Sequence, residues 1–411
     1  MRGGLGRPVP LSVATVDHLL YAPLGPFVWT PDNPKYLALL RVGTHFSSKP
    51  GRDADPRAGA EGAANPVGGD AHYWSGGSFR VEDLDGSGGG LYSPVDPIIR
   101  ALGDISIETY EGSSLHVLAG GSVTIDTAKI TTSEPGSIGV DFLQETLTLS
   151  DGTVVAIDGG AQPTLDIRAG VVPEAIGIVP PGNISGLNGT SDILVGFTPT
   201  DTPSRADITV GDVWINAPNG LVLLTNQYQP NANLAGGSIL VTGEGSRILV
   251  PGDERGINAR GQGGQGGAVY LDARNDVSID NSLIATSGAG TVGDIVINAG
   301  DTVRFEGPDR RTVAVSGLGA GATGTAGDIR IRATNVELIN GAQLGASTFG
   351  NGDAGNVVIE ARDRVNLQGF DVLRDMPLNK VPDVLIAVGC IRAAMHHWES
   401  RRLVPYFLAC P

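Results

Sequence analysis

Asp294 and Asp328 each stand one residue after a glycine, in the phrases GDIVINA and GDIRIRA. Carboxylates repeated at one phase could converge on a single face, which is what acid–base cleavage of a glycosidic bond needs. The same residue types also serve at turns, where an Asp or Asn oxygen accepts backbone N–H groups. The position reads Asp212, Ser238, Ala268, Asp294, Asp328 and Asn356 along the chain, and the recurrence of Asp and Asn at it favours the turn. Two positions after Arg330 and Val358, Arg332 and Glu360 suit a cross-strand ion pair worth about 0.2–1 kcal/mol.

Other chemistry is thinner still. DLDGSGGG at 83–90 lacks the third acidic position and closing Glu of a calcium loop. The pair His396–His397 has no metal-ligand spacing around it. Neither G-x-S-x-G, H-E-x-x-H nor a phosphate-binding loop occurs. The sequence therefore assigns no catalytic, cofactor-binding or metal-ligating residue, and no cofactor.

The glycines before these acids mark a repeat. GDVWINAPNGLVLL starts at Gly211, GGSILVTGEGSRILV at Gly237 and GAVYLDARNDVSID at Gly267. GDIVINAGDTVRFEG, GDIRIRATNVELING and GNVVIEARDRVNLQG start at Gly293, Gly327 and Gly355. A period of this size is the signature of a repeat architecture. Positions two and four after each anchor are apolar, as in Ile295 with Ile297, Ile329 with Ile331, and Val357 with Ile359. That is the period of a strand with one buried face. Ala stands at position six in five units (Ala217, Ala273, Ala299, Ala333, Ala361), the mark of a tight corner. The Gly327 unit reaches its second strand one residue early, so that corner tolerates a deletion. Three short strands and three turns per unit predict an all-β fold, a parallel β-helix from about Gly103 to Gly369.

Composition agrees. The 61 Gly suit many turns, and the net charge of −16 disfavours nucleic acid and anionic membranes. No apolar run is long enough for a spanning helix, so membrane insertion is not expected. Only Cys390 and Cys410 occur, which excludes a disulfide framework for the body of the chain. Residues 1–102 read as an irregular Pro/Gly-rich segment, and 127–210 as early, irregular coils. Residues 370–411 form a tail in which Val384, Val388, Ile391, Met395 and Trp398 carry a helical stripe, a candidate cap or the product of a shifted reading frame.

If positions two and four point inward, position three points out. That column reads Trp214, Leu240, Tyr270, Val296, Arg330 and Val358, and Trp214, Leu240 and Tyr270 form a candidate surface-contact stripe. Either the first hundred residues, with Trp29, Tyr36 and Trp74, cover it, or it is a platform for sugar rings.

The phrases SLHVLAGGSVTI, LSDGTVVAIDGGAQPTLDIRAGV, GLVLLTNQYQPNANLAGGSILVTGEG and NGAQLGASTFGNGDAGNVVIEA resemble filamentous-haemagglutinin-like exoproteins of the cyanobacterial type. The resemblance covers roughly 103–369. It implies a right-handed parallel β-helix, two-partner secretion through an outer-membrane transporter, and an adhesin-like role at the cell surface with carbohydrate or cell-surface partners. Family members begin with a signal peptide and a secretion domain; neither is evident in this chain. The functional expectation is a non-enzymatic secreted or cell-surface protein. The alternatives are a polysaccharide lyase or hydrolase on the same fold, and a truncated gene product without independent function.

Overall fold

A computed structural model describes residues 77–81, 87–93, 96–133, 143–176, 203–243, 255–261, 264–307, 312–340 and 342–368, with the backbone of four further strands at Thr15–Val16, Leu19–Leu20, His72–Ser75 and Ile391–Ala394. Alternation of apolar and polar residues makes each short segment extended, and its inner side chains can be buried only by stacking coil on coil. The result is a parallel β-helix.

Ahead of the stack, β1 (Thr15–Val16) and β2 (Leu19–Leu20) form an antiparallel pair. The first coil is β3 (His72–Ser75), β4 (Phe79–Arg80) and β5 (Gly90–Ser93). In the second, β6 (Ile98–Ala101) is followed by β7 (Ile105–Gly112), which turns a corner and serves two faces. The third repeats this with β8 (Leu115–Ala119) and β9 (Val123–Ile130). The chain then leaves the stack for an antiparallel hairpin, β10 (Gln144–Thr148) and β11 (Val154–Asp158). It returns as the fourth coil, β12 (Thr164–Arg168), the short helix α1 (Pro173–Ile176) and β13 (Ile208–Ile215).

The fifth coil has three separate strands, β14 (Leu221–Thr225), β15 (Ile239–Thr242) and β16 (Ile257–Arg260). So does the sixth, with β17 (Ala268–Ala273), β18 (Val277–Asp280) and β19 (Leu283–Gly288). The seventh has β20 (Ile295–Ala299), β21 (Thr302–Glu306) and β22 (Val313–Leu318). In the eighth, β23 (Ile329–Ile339) serves two faces before β24 (Gln343–Thr348), and β25 (Val357–Leu367) opens the ninth. Finally β26 (Ile391–Ala394) pairs parallel to β25.

Three parallel faces result. The first runs β3, β6, β8, β12, β14, β17, β20 and then the starts of β23 and β25. The second runs through the starts of β7, β9 and β13 to β15, β18, β21 and the ends of β23 and β25; the third runs through the ends of β7, β9 and β13 to β16, β19, β22 and β24.

The predicted inward residues Ile295, Ile297, Ile329, Ile331, Val357 and Ile359 all lie in one continuous core with the interior rings of Phe79, Tyr110 and Phe305. Corner alanines stack as expected, Ala273 on Ala299 and Ala333 on Ala361. Between Ala333 and Asn335 the register shifts against β25, which places the one-residue deletion at that corner. Ala217 belongs to a different corner and is only half-buried.

Two boundaries differ from the expectation. The stack begins at His72, not Gly103, because short strands without clean alternation still extend a template already formed. In the tail, Ile391–Ala394 is a strand, so the helical stripe does not run through those residues: an open sheet edge offers backbone partners that a helix would leave unpaired. The remaining tail residues, including Cys390, Cys410 and His396–His397, lie outside the described residues.

Full burial of an aliphatic side chain is worth about 1.5–3 kcal/mol. Truncating Ile297 to Ala, in mid-stack, should cost about 2–5 kcal/mol. Ser278→Ala, facing outward on the second face, should change stability by about 0.5 kcal/mol or less. Denaturant unfolding followed by circular dichroism measures both, and equal effects would contradict the assigned inner face.

Candidate functional site

The proposed contact stripe is not a stripe. Trp214 pairs with Lys129 and Asn258 on the third face, Leu240 with Thr209 and Ser278 on the second, and Tyr270 with Leu223 and Val296 on the first. All three point away from the core and are half-buried, but they stand on different walls. The reason is a phase slip among the anchors. Gly211 lies at the corner inside β13 and Gly237 before a second-face strand, whereas Gly267, Gly293, Gly327 and Gly355 open first-face strands. Wherever an outer wall alternates apolar and polar residues, glycine-anchored alignment alone does not distinguish one wall from another.

The acids after these glycines cap turns. Asp294 Oδ1 accepts the Asp328 backbone N–H at 2.8 Å, and Asp328 Oδ1 accepts that of Asn356 at 2.8 Å. Arg330 bridges their other oxygens, 2.8 Å from Asp328 and 3.2 Å from Asp294. Burial alone would raise the Asp328 pKa, but the Asn356 N–H and the Arg330 guanidinium outweigh it and hold the carboxyl below its usual range. Arg332 and Glu360 approach to 4.0 Å and both are exposed, so that expected pair is loose.

A longer ladder of the same kind runs along the start of the second face. Ser78 Oγ accepts from the Asp104 N–H (3.1 Å), Asp104 Oδ1 from Ser122 (2.7 Å) and Ser122 Oγ from Asp207 (3.1 Å). Asp207 Oδ1 accepts from Gly237 (2.8 Å) and Ser238 (3.0 Å), Ser238 Oγ from Asp276 (3.4 Å), and Asp276 Oδ1 from Thr302 (3.0 Å). Ser and Asp alternate, so no two carboxylates meet on adjacent rungs.

The densest charge cluster was not foreseen. On the outer side of the first face, Asp166 of β12 stacks on His116 of β8. His116 Nδ1 lies 3.1 Å from Asp166 Oδ2, and its Nε2 lies 3.3 Å from Asp96, an ion pair poorly aligned for a hydrogen bond. Arg168 donates to both Asp166 oxygens (2.9 and 2.6 Å) and to Glu145 of the hairpin. Its guanidinium lies 4.4 Å over the Tyr228 ring, whose hydroxyl donates to Glu145 at 3.4 Å. Asp96, His116, Asp166 and Arg168 are all buried, and so is the neighbouring Arg100.

Burial would lower the His116 pKa, but Asp96 and the hydrogen-bonded Asp166 outweigh it and raise it to about 10. Burial would raise that of Asp166, yet Arg168 and His116 hold it below the usual carboxylate range. Arg100 is lowered to about 10 by burial and by Arg168.

The hairpin seals this cluster. Its turn is Asp151–Gly152, with Gly152 at φ 91° and Asp151 Oδ1 accepting the Thr153 N–H at 2.9 Å. Leu147, Leu149, Val155 and Ile157 pack on Leu221 and Leu223, with Tyr228 and Tyr270 at the edge. At the tip Ser150 Oγ donates to Asp272 at 2.5 Å. Burial raises the Asp272 pKa, partly offset by Ser150. Beyond β11, Gly159 lies so close that an added Cβ would overlap the Asp96 carboxylate and His116 Nε2. Tyr270 is thus covered by this hairpin; Trp29, Tyr36 and the side chain of Trp74 lie outside the described residues.

An outward column on the third face joins Tyr92, Glu111, Lys129 and Trp214 on consecutive rungs. Tyr92 is 56% exposed, Lys129 Nζ is 3.0 Å from Glu111, and it stands 5.3 Å from the Trp214 ring centroid. Among the described residues no group of three or more His, Cys, Asp or Glu is placed to hold a metal ion, and no helix is long and apolar enough to cross a membrane.

Neither family models, curated proteins nor solved structures gave a match to this chain.

Asp207→Ala should cost about 1.5–3 kcal/mol, the worth of hydrogen bonds to a charged group. Burial would raise the Asp207 pKa, but the Ser238 N–H, Arg205 and the Gly237 N–H lower it below the usual range. A depressed carboxyl stabilises above its unfolded pKa and loses that contribution as pH falls through its folded value. Urea melts should therefore show wild type and variant converging in acid; a gap independent of pH would contradict the cap. Gly159→Ala should destabilise by about 1–3 kcal/mol through overpacking, read by the same melts.

Proposed function

We propose that this chain is a filamentous-haemagglutinin-like, non-enzymatic β-helix that works at the cell surface and adheres to carbohydrate. The observation that carries this reading is the third-face column of Tyr92, Glu111, Lys129 and Trp214. Rungs repeat at about 4.8 Å, close to the length of one sugar ring along an extended glycan. Two aromatic side chains supply flat apolar surfaces for ring faces, and the Glu111–Lys129 pair between them supplies an acceptor and a donor for hydroxyls. The rigid stack fixes their spacing without a loop that must order on binding.

The resemblance to filamentous-haemagglutinin-like exoproteins adds secretion by the two-partner route, through an outer-membrane transporter, to the proposal. The acids give the enzyme alternative little to use: Asp294 and Asp328 are engaged by backbone N–H groups and Arg330, and Asp166 lies beneath the hairpin.

Replacing Tyr92 and Trp214 together with Ser should weaken attachment to polysaccharide-coated surfaces about tenfold, or about 1.4 kcal/mol, with the melting transition nearly unchanged. Leu240→Ser, on another face, should leave attachment intact. Undiminished attachment in the double variant, or cleavage of the polysaccharide by the wild-type chain, would overturn the proposal.

A further inference from the structure

We infer that the His116 cluster is a protonation-dependent clasp: the hairpin stays seated while His116 carries both ring protons, and loss of one unseats the hairpin without unravelling the coils. The argument is first geometric. Both ring nitrogens face carboxylate oxygens, Nδ1 that of Asp166 at 3.1 Å and Nε2 that of Asp96 at 3.3 Å. A carboxylate only accepts, so Nδ1 donates to Asp166, while Nε2 faces the second carboxylate as a charge contact without an aligned hydrogen bond; negative oxygens on both sides of the ring favour the imidazolium.

The charges then balance. Asp96, Glu145 and Asp166 oppose Arg100, His116 and Arg168, with Tyr228 neutral beside them. These groups come from every element packed at the site: the residues before β6, β6 itself, β8, β12, the segment after β14, and the hairpin. Removing a proton from His116 leaves a buried net negative charge, which is costly in a site closed to water.

One member can relieve it. Asp96 and Asp166 are fixed to the solenoid, whereas Glu145 rides on β10 and its side chain is 28% exposed. Lifting the hairpin carries that carboxylate into water and leaves Arg168 to Asp166. The apolar contacts of Leu147, Leu149, Val155 and Ile157 oppose the release, so the clasp shifts the seating equilibrium without fixing it outright. The direction follows from His116, whose pKa is raised to about 10 in the closed form. A raised basic group contributes fully below its unseated pKa and loses that contribution as pH rises through the closed value. The first-face surface of Leu221, Leu223 and Tyr270 would then open to solvent.

The test uses the full chain with Cys390 and Cys410 replaced by Ser and Val155→Cys on the buried side of the hairpin. Its alkylation rate, divided by that of a free cysteine peptide at the same pH, reports unseating. Nitrogen-15 NMR of labelled histidine reports the ring. His116 should remain doubly protonated through neutral pH and titrate near about 10, with alkylation rising severalfold over the same interval while far-ultraviolet dichroism stays constant. Glu145→Gln, which alters only the hairpin side, should label faster at neutral pH and lose most of the pH dependence. The clasp is refuted by a His116 that titrates at its ordinary value, by labelling that rises only as the dichroism collapses, or by Glu145→Gln labelling like its parent.

Discussion

In-register parallel stacking is the constraint from which the rest follows. Each side chain meets its counterpart on the next coil at about 4.8 Å, so a position is never chosen alone. Inside, like stacks favourably on like, and columns such as Ile295, Ile329 and Val357 form one core. Outside, the same rule is hazardous for charge, because identical acids on adjacent rungs would repel. The chain answers by alternating Ser with Asp from Ser78 to Asp276, and by laying Arg330 across Asp294 and Asp328. Carboxylates on this surface are thereby drawn into holding turns together.

The first face departs from that economy in one place. Arg100, His116, Asp166 and Arg168 occupy outward positions, where water would ordinarily solvate them. The hairpin removes the water, so each charge needs a partner, and the cluster supplies them within itself and through Glu145. Replacing such a cluster by apolar residues is often neutral or stabilising, while breaking it is costly. Its worth is therefore in specifying where the hairpin sits, between the apolar contacts near Leu223 and the Ser150–Asp272 bond at the tip.

The inner face was readable because burial imposes a period of two that no turn disturbs. The corner alanines, the deletion near Thr334 and the turn-capping role of Asp294 and Asp328 were readable for the same reason: each repeats at a fixed phase. What escaped was anything set by a single copy. LTLSDGTVVAID alternates like a coil, and only its Asp-Gly turn between two strands marks it as a hairpin. Aligning SLHVLAG and TLDIRAG with LVLLTNQ would have placed His116 and Asp166 in one column. Their burial, however, depends on a segment that lies across the stack, and spacing along the chain carries no trace of that. The walls holding Trp214, Leu240 and Tyr270 were confused because Gly anchors open both first-face and second-face strands.

Assignment of residues to walls underlies the glycan column and the clasp alike, and spin-label distances test it directly. Labels at Thr209 and Ser278 bracket Leu240 on the second face and should lie about 10 Å apart, two rungs of a parallel stack. Labels at Trp214 and Tyr270, on different walls, should lie well beyond that distance. A two-rung distance between Trp214 and Tyr270, with Thr209 and Ser278 far apart, would contradict the fold as described.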